Sequence, residues 1–205
     1  MFPIDFFWRA TQRWPDRIAI DTPAGPIHYA TLAARVKALA AGLSALDPTL
    51  QSRVAICAGN SADHITALLA ILACGKVWVP LNPKSTHPEI ARIINITEPS
   101  IVILDAVNQE LLKGASGAWI YTGSDSDTSD RSMDELIHLH ADAPQPSFDL
   151  PQDAIQAIKF TGGTTGAPKG VMQPYRAWMA NITNQIHAWG FDENERYIVA
   201  APITH

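Results

Sequence analysis

The sequence has few cysteines, no excess of positive charge and no long apolar run, and each shortage excludes a class of protein. Two cysteines in 205 residues, Cys57 and Cys74, cannot form a disulfide framework, so we expect buried apolar side chains in a reducing compartment. Fifteen Lys and Arg against 20 Asp and Glu give a formal net charge of -5, which argues against general nucleic-acid binding. The longest strongly apolar run, residues 67–74, is too short to cross a bilayer. Asp5 and Arg9 interrupt the N-terminal stretch where a secretory signal would be apolar, so we expect a soluble cytoplasmic protein.

What is present is an alternation of helical and strand periodicity, in a chain that is 47% hydrophobic and can bury a full core. A first helix is predicted by Leu32, Val36, Leu39, Leu43 and Leu46, and a strand by Val54–Cys57. A second helix is predicted by Ile65, Leu68, Leu69 and Leu72, with a cap at Ser61 or Asp63 and an end at Gly75. A strand at Val77–Val79, a helix at Pro88–Ile96 and a strand at Ile101–Leu104 follow. This order predicts an α/β fold with a parallel or mostly parallel sheet and helices on both faces.

Residues 121–151 differ in composition, being polar at 124–130 and rich in proline near 151. The acidic spacing at 124–130 lacks the glycine and the closing glutamate of a calcium loop, so we interpret it as a solvated surface loop. We place a boundary here, between a first subdomain at 1–150 and a second part at 151–205. The second part is predicted to contain a strand at Ala154–Phe160, a helix at Tyr175–Trp189 and the start of a strand at Tyr197–Ala200. Because a buried strand needs neighbours, a chain that stops at His205 is expected to be truncated.

Residues 161–170, with the sequence TGGTTGAPKG, are suited to hold an anion. Four glycines let backbone N–H groups approach a ligand, three threonines add hydroxyl donors, and Lys169 adds a compact positive charge. The stretch 154–191 contains no Asp or Glu, whereas Lys159, Lys169 and Arg176 lie within it. This strip is therefore predicted to tolerate an anion, and the alternative is a glycine- and threonine-rich hairpin loop that only joins two strands.

The segment differs from the two common nucleotide-binding patterns. The pattern G-x-x-x-x-G-K-[ST] needs glycine before the lysine and a hydroxyl residue after it, where this chain has Pro168 and Gly170. The pattern G-x-G-x-x-G needs a helix to begin at the glycines, which Pro168 and Gly170 prevent.

Residues 160–170 resemble the phosphate-binding signature of the adenylate-forming enzymes, which include acyl-CoA synthetases, adenylation domains of peptide synthetases and luciferases. Gly162 stands where serine is commoner in that signature. Three further segments resemble the family: 13–20 its opening strand, 27–32 its next motif (with Thr31 where glutamate is usual), and 72–83 its helix-to-strand turn. Residues 201–205 are similar to the segment whose histidine or aromatic residue lines the acyl pocket.

The resemblance implies that this chain is the N-terminal, incomplete part of an ATP-dependent carboxylic acid–CoA ligase. Such an enzyme uses Mg-ATP to form acyl-AMP and pyrophosphate, and coenzyme A then takes the acyl group as a thioester. The family's adenine and ribose segments, hinge and C-terminal lysine domain are absent, so we expect the chain alone to be inactive and assign it no catalytic residue and no metal ligand.

The implied cofactor-binding residues are Thr161, Gly162, Gly163, Thr164, Thr165, Gly166 and Lys169. The hydroxyls of Thr164 and Thr165, the N–H groups of Gly163 and Gly166 and the charge of Lys169 would hold the departing pyrophosphate. His205 is implied to line the substrate pocket, with a fatty or aryl acid favoured. An adenylation domain that loads a carrier protein, and a naturally short, non-catalytic binding module, stay open as alternatives.

Two other features suggest no site. His138 and His140 have the spacing of one strand face, but no further ligands lie near them and the run looks helical, so no metal is expected. The six tryptophans are scattered and are interpreted as core or interface residues.

Overall fold

The computed structural model describes residues 1–123, 131–161 and 169–204. Six α-helices lie in these ranges: α1 (Pro3–Arg13), α2 (Tyr29–Leu46), α3 (Ala62–Ala73), α4 (His87–Thr97), α5 (Met133–Leu139) and α6 (Tyr175–Trp189). A 3-10 helix spans Ala106–Leu112. The two short strands β1 (Ile18–Thr22) and β2 (Gly25–His28) form a separate antiparallel hairpin.

The other seven strands form one mostly parallel sheet. They are β3 (Arg53–Cys57), β4 (Val77–Pro80), β5 (Ile101–Leu104), β6 (Ala118–Tyr121), β7 (Arg131–Ser132), β8 (Ile155–Thr161) and β9 (Lys169–Pro174). Their order is β7-β6-β5-β3-β4-β8-β9, and every neighbouring pair is parallel except β8 and β9. The predicted mostly parallel α/β sheet is therefore confirmed.

Apolar clusters cover both faces of this sheet, because successive side chains of a strand point to opposite sides. Val54 and Ile56 join a cluster with side chains of α1, α2, α3 and α5. Ala55 and Cys57 join a second cluster with side chains of α4 and the 3-10 helix. Helices thus lie on both faces, as predicted. Burial raises the pKa of the Cys57 thiol to about 12, which keeps this apolar position protonated.

Helix α3 begins and ends where the sequence predicts. Its predicted cap is present, since the Ser61 hydroxyl accepts a hydrogen bond from the backbone N–H of His64 at 3.1 Å. Its predicted end is also present, with Gly75 in the left-handed region at φ 68°. Of the four apolar residues that predicted this helix, Leu72 is buried, whereas Ile65, Leu68 and Leu69 are half-buried.

The buried residues of α3 are His64, Thr66, Ala67, Ala70, Ile71, Leu72 and Ala73. Apolar residues surround nearly the whole helix, so periodicity alone cannot identify the innermost side. Small alanine side chains let α3 approach the sheet and α2 closely, and they decide which side faces inward.

The predicted strand at 197–200 is not a strand in the structure. The segment forms no ladder with the sheet, and Tyr197 and Ile198 are each 85% exposed. An apolar tetrapeptide becomes a strand only where another strand supplies hydrogen-bonding partners, and none lies beside it in the described residues.

Helix α1 was not predicted from the sequence. Pro3 occupies its first turn, and the Asp5 carboxylate accepts a hydrogen bond from the Phe2 backbone N–H at 2.8 Å.

None of the helices within the described ranges has the length and apolar character needed to span a membrane. The surface loop predicted at 124–130 lies outside the described residues, and the division of the chain near residue 150 stays a prediction.

Candidate functional site

The candidate anion loop is carried by the hairpin of β8 and β9. Thr161 ends β8 and lies directly opposite Lys169, the first residue of β9. The intervening residues, which include the predicted contacts Gly162, Gly163, Thr164, Thr165 and Gly166, lie outside the described residues. Of the predicted phosphate-binding residues, the structure therefore places Thr161 and Lys169, and it brings them together at the mouth of the loop.

This hairpin projects beyond the carboxyl edge of the parallel sheet. Ala157 of β8 pairs with Trp78 of β4. The strand β4 ends two residues later at Pro80, whereas β8 continues for four residues to Thr161. Open parallel sheets bind ligands outside the carboxyl ends of their strands, so Thr161 and Lys169 stand where a ligand of this fold class is expected.

The three cations of the acid-free strip have different environments. Arg176 makes an ion pair with the carboxylate of Asp153, which lies just outside the strip. Lys159 is half-buried. Lys169 is exposed and makes no ion pair with any described residue. The strip therefore offers one solvent-facing lysine beside the loop, and its arginine is already paired.

Lys159 lies between two indole rings. Its Nζ is 5.1 Å from the ring centroid of Trp78 on β4 and 5.2 Å from that of Trp178 on α6. The two rings meet edge to face, with centroids 6.3 Å apart, and the Trp178 Nε1 donates to the Gln173 Oε1 at 2.7 Å. Burial lowers the pKa of Lys159. Trp78 and Trp178 therefore flank a cation in addition to packing in the first apolar cluster.

The aromatic and glycine ends of the signature contact each other on the opposite side of the hairpin. A Cβ atom on Gly170 would lie 3.0 Å from Cζ of Phe160 and 3.2 Å from Cγ2 of Ile158. Phe160 and Ile158 in turn pack against the second apolar cluster. Close packing against Phe160 and Ile158 therefore favours glycine at 170, independently of any ligand.

A second chain segment is held at the same edge of the sheet by Asn60, which follows β3. The Asn60 Nδ2 donates to the carbonyl oxygens of Ala201 (2.8 Å) and Val199 (3.4 Å), and its Oδ1 accepts from the backbone N–H of Ile203 at 3.0 Å. This role of Asn60 was not predicted from the sequence, in which its position directly before the helix cap Ser61 is the only signal.

Two buried polar side chains lie close in sequence to the two sides of this contact: Thr204 follows Ile203, and His64 lies four residues after Asn60. Thr204 is buried and its Oγ1 has no hydrogen-bond partner among the described residues. His64 is fully buried, with Nδ1 at 3.1 Å from the Ala58 oxygen and 3.2 Å from the Gly59 oxygen, and with Nε2 unpartnered in the described part of the chain. Since Nδ1 faces two carbonyls, it is the donor and Nε2 is the acceptor. Burial lowers the pKa of His64.

His205 itself lies outside the described residues, so its place in a substrate pocket stays a prediction.

Comparison with known proteins decides the family. The family model described as AMP-binding enzyme matches residues 7–205. This chain belongs to the AMP-binding enzyme family. The resemblance drawn from residues 160–170 is thereby confirmed at the level of the family.

Three relatives illustrate the breadth of the AMP-binding family around this chain. MatB from Rhodopseudomonas palustris, solved both apo and ATP-bound, is 28% identical with a TM-score of 0.82, over 100% of this chain and 41% of MatB. The N-terminal subdomain of Klebsiella oxytoca NpsA, solved with 3-hydroxybenzoyl-AMSN, is 28% identical with a TM-score of 0.77, over 100% of this chain and 48% of that one. The nonribosomal peptide synthetase agiA of Aspergillus flavus is 30% identical over 86% of this chain and 2% of agiA. The chain thus spans less than half the length of each relative.

Proposed function

We propose that this chain is the N-terminal portion of an ATP-dependent carboxylic acid–CoA ligase, and that its hairpin loop holds the phosphates of ATP. The observation that carries the proposal is the exposed Lys169. It lies opposite Thr161 at the mouth of the glycine-rich loop, beyond the carboxyl edge of the sheet, and has no carboxylate partner among the described residues. A lysine that the described residues leave without a carboxylate partner fits a phosphate, because the ligand then supplies the missing negative charge.

The reaction needs a leaving group on an unreactive carboxylate, and ATP supplies it. A carboxylate oxygen attacks the α-phosphorus, the bond from that phosphorus to the bridging oxygen breaks, and acyl-AMP and pyrophosphate result. The thiol of coenzyme A then attacks the acyl carbon, the bond to the AMP oxygen breaks, and the thiol proton is released. Lys169 would neutralise charge that grows on the departing pyrophosphate, and Thr161 would place its hydroxyl beside it.

The same loop would contribute the remaining donors. The hydroxyls of Thr164 and Thr165 and the N–H groups of Gly163 and Gly166 would bind the β- and γ-phosphates. Magnesium would be carried by the phosphates of ATP, and the proposal assigns it no ligand in this chain. His205 would line the pocket of the acid, for which we favour a fatty or aryl acid.

A second candidate is an adenylation domain that transfers the acyl group to a carrier protein. The observation that favours it is the 30% identity to a nonribosomal peptide synthetase, while MatB is similar at 28%. Both candidates share the adenylation step and differ only in the thiol that attacks acyl-AMP. A naturally short, non-catalytic binding module is a third possibility, and it predicts no adenylation at all.

The test is carboxylate-dependent exchange of labelled pyrophosphate into ATP. It is measured on the full-length protein of which we propose this chain to be the N-terminal portion, with panels of fatty, aryl and amino acids. Replacing Lys169 by Ala should lower kcat/KM for exchange by about a hundredfold, since a preorganised charge at the developing anion is lost. The exposed Lys113→Ala variant is the matched control and should exchange at the wild-type rate. Exchange that survives in Lys169→Ala would contradict the role of Lys169, and absence of exchange with every acid would favour the binding module. Coenzyme A and a phosphopantetheinylated carrier protein, offered to the acyl-AMP complex, separate the two ligase candidates.

A further inference from the structure

Lys159, Thr161 and Lys169 share one face of the hairpin. Residues two apart on a strand point to the same side, which relates Lys159 to Thr161. Directly opposite residues of an antiparallel pair also share a side, which relates Thr161 to Lys169. Since Lys159 lies opposite Val171, Lys159 and Lys169 are diagonal neighbours, at about 7–8 Å in backbone spacing.

Two like charges as diagonal neighbours repel each other unless something compensates. Neither lysine makes an ion pair with a carboxylate in the described residues, although Arg176 nearby is paired with Asp153. Lys159 is instead stabilised by the faces of Trp78 and Trp178, at 5.1 and 5.2 Å from its Nζ. Indole rings stabilise an ammonium without cancelling its charge, so the positive field of Lys159 persists at this face.

The two tryptophans fix Lys159 to the parts of the fold that carry the loop. Trp78 is fully buried in β4, next to β8, and Trp178 lies on α6, which directly follows β9. The Trp178 indole is in turn held by Gln173 of β9. The ammonium is therefore positioned by three neighbouring elements.

We propose that Lys159 is the second cation of the phosphate site, held in place by Trp78 and Trp178 and acting together with Lys169 on the polyphosphate of ATP. The inference rests on the proposed function, because the anion it serves is the one that the loop binds. Lys169 is solvent-exposed and its field is screened by water, whereas the half-buried Lys159 acts through a medium of lower dielectric. Without a bound anion the charges of Lys159 and Lys169 repel each other. An anion at the loop would relieve this repulsion, because it attracts both lysines.

The first experiment replaces Lys159 by Met, which keeps length and apolar stem, and by Arg, which keeps charge and stacks on indole rings. In the intact protein, Lys159→Met should raise KM for Mg-ATP in carboxylate-dependent exchange about five- to tenfold. The KM for the acid and kcat should change less than about twofold, and added salt should narrow the gap between variant and wild type. Lys159→Arg should restore KM for Mg-ATP, and Lys113→Met should match wild type. An unchanged KM for Mg-ATP in folded Lys159→Met, or an equal defect in Lys159→Arg, overturns the proposal.

A second measurement uses the unmodified protein and stands even where Lys159→Met does not fold. A small amine-acylating reagent is applied with and without Mg-pyrophosphate, and labelling of each lysine is measured by peptide mass spectrometry. A nearby anion favours the unreactive ammonium, so pyrophosphate should slow labelling of Lys159 about threefold and leave Lys113 unchanged. Equal labelling of Lys159 in both conditions overturns the proposal. Because the probe is pyrophosphate, this result is independent of the acid, and a failure to find any exchange-supporting acid would count against the ligase proposal alone.

Discussion

The two ends of the parallel sheet use lysine in opposite ways. At the amino end of β4, Lys76 is buried, and its Nζ donates to the Asp47 carbonyl oxygen at 2.7 Å, the Thr49 carbonyl oxygen at 3.2 Å and the Ser52 hydroxyl at 2.7 Å. At the carboxyl end, Lys159 has two indole faces and Lys169 has solvent, and neither donates to a protein oxygen in the described residues.

This difference separates a structural lysine from one that is available to a ligand. The three donors of an ammonium are used up at Lys76, so an anion could bind there only by breaking native hydrogen bonds. The donors of Lys159 and Lys169 are not used up by the described protein. The contrast predicts that substitutions at Lys76 affect folding, whereas those at Lys159 and Lys169 affect binding.

The largest expected effect on stability is at Lys76. Replacing Lys76 by Met should lower the free energy of unfolding by about 3 kcal/mol, because the three hydrogen bonds that the buried ammonium donates to Asp47, Thr49 and Ser52 are lost. Urea unfolding of the intact protein measures this loss. Lys169→Met is the matched control, and should change the free energy of unfolding by less than about 0.5 kcal/mol because its side chain is exposed. Equal losses in the two variants would remove the distinction between the two ends of the sheet.

A smaller effect is expected at Gly170, where packing supports the loop from below. A Cβ atom there would lie 3.0 Å from Phe160, so Gly170→Ala should lower the free energy of unfolding by about 1–2 kcal/mol and displace that ring. Gly59→Ala is the control at the same edge of the sheet, since its added Cβ would meet Asp105 at an ordinary 3.7 Å. Thermal unfolding of the two variants gives the comparison, and a Gly170→Ala protein as stable as Gly59→Ala would show that the close approach at 170 carries no constraint.

The elements that could be predicted from the sequence are those whose signal is local. The helix at Tyr175–Trp189 was predicted with the observed bounds, and the strand predicted at Val54–Cys57 starts one residue earlier, at Arg53. The inner face of α3 could not be predicted, because apolar residues surround it and the small Ala67 and Ala70 decide the packing. The strand predicted at 197–200 failed because strand formation depends on a partner that local sequence does not describe.

In the candidate site, too, residues of the local signature could be predicted and tertiary contacts could not. Lys169 and Thr161 were identified from the signature and lie opposite each other in the hairpin. The contact of Lys159 with Trp78 and Trp178 could not be predicted. Trp78 lies about 80 positions before Lys159 and about 100 before Trp178 in the sequence, and the three side chains meet only through the order of strands β4, β8 and β9. The ion pair of Arg176 with Asp153 depends on the same tertiary arrangement, and it removes a cation that the sequence had counted as available.

The smallest expected effect concerns His64, a buried base that has no charged partner within hydrogen-bond distance in the described part of the chain. Burial lowers its pKa in the folded protein, while hydrogen bonds to Gly59 and Ala58 and the charge of Asp105 oppose the shift. Below about pH 6.5 the unfolded chain therefore binds a proton that the folded protein excludes, so stability falls as pH falls. Between pH 7.5 and 5.5 the wild type should lose about 1 kcal/mol more of its free energy of unfolding than His64→Phe does. The exposed His138→Asn is the control and should follow the wild-type slope. A wild-type slope equal to that of His64→Phe would mean that His64 titrates alike in both states, and that the carboxyl end of the sheet tolerates a buried positive charge there as well.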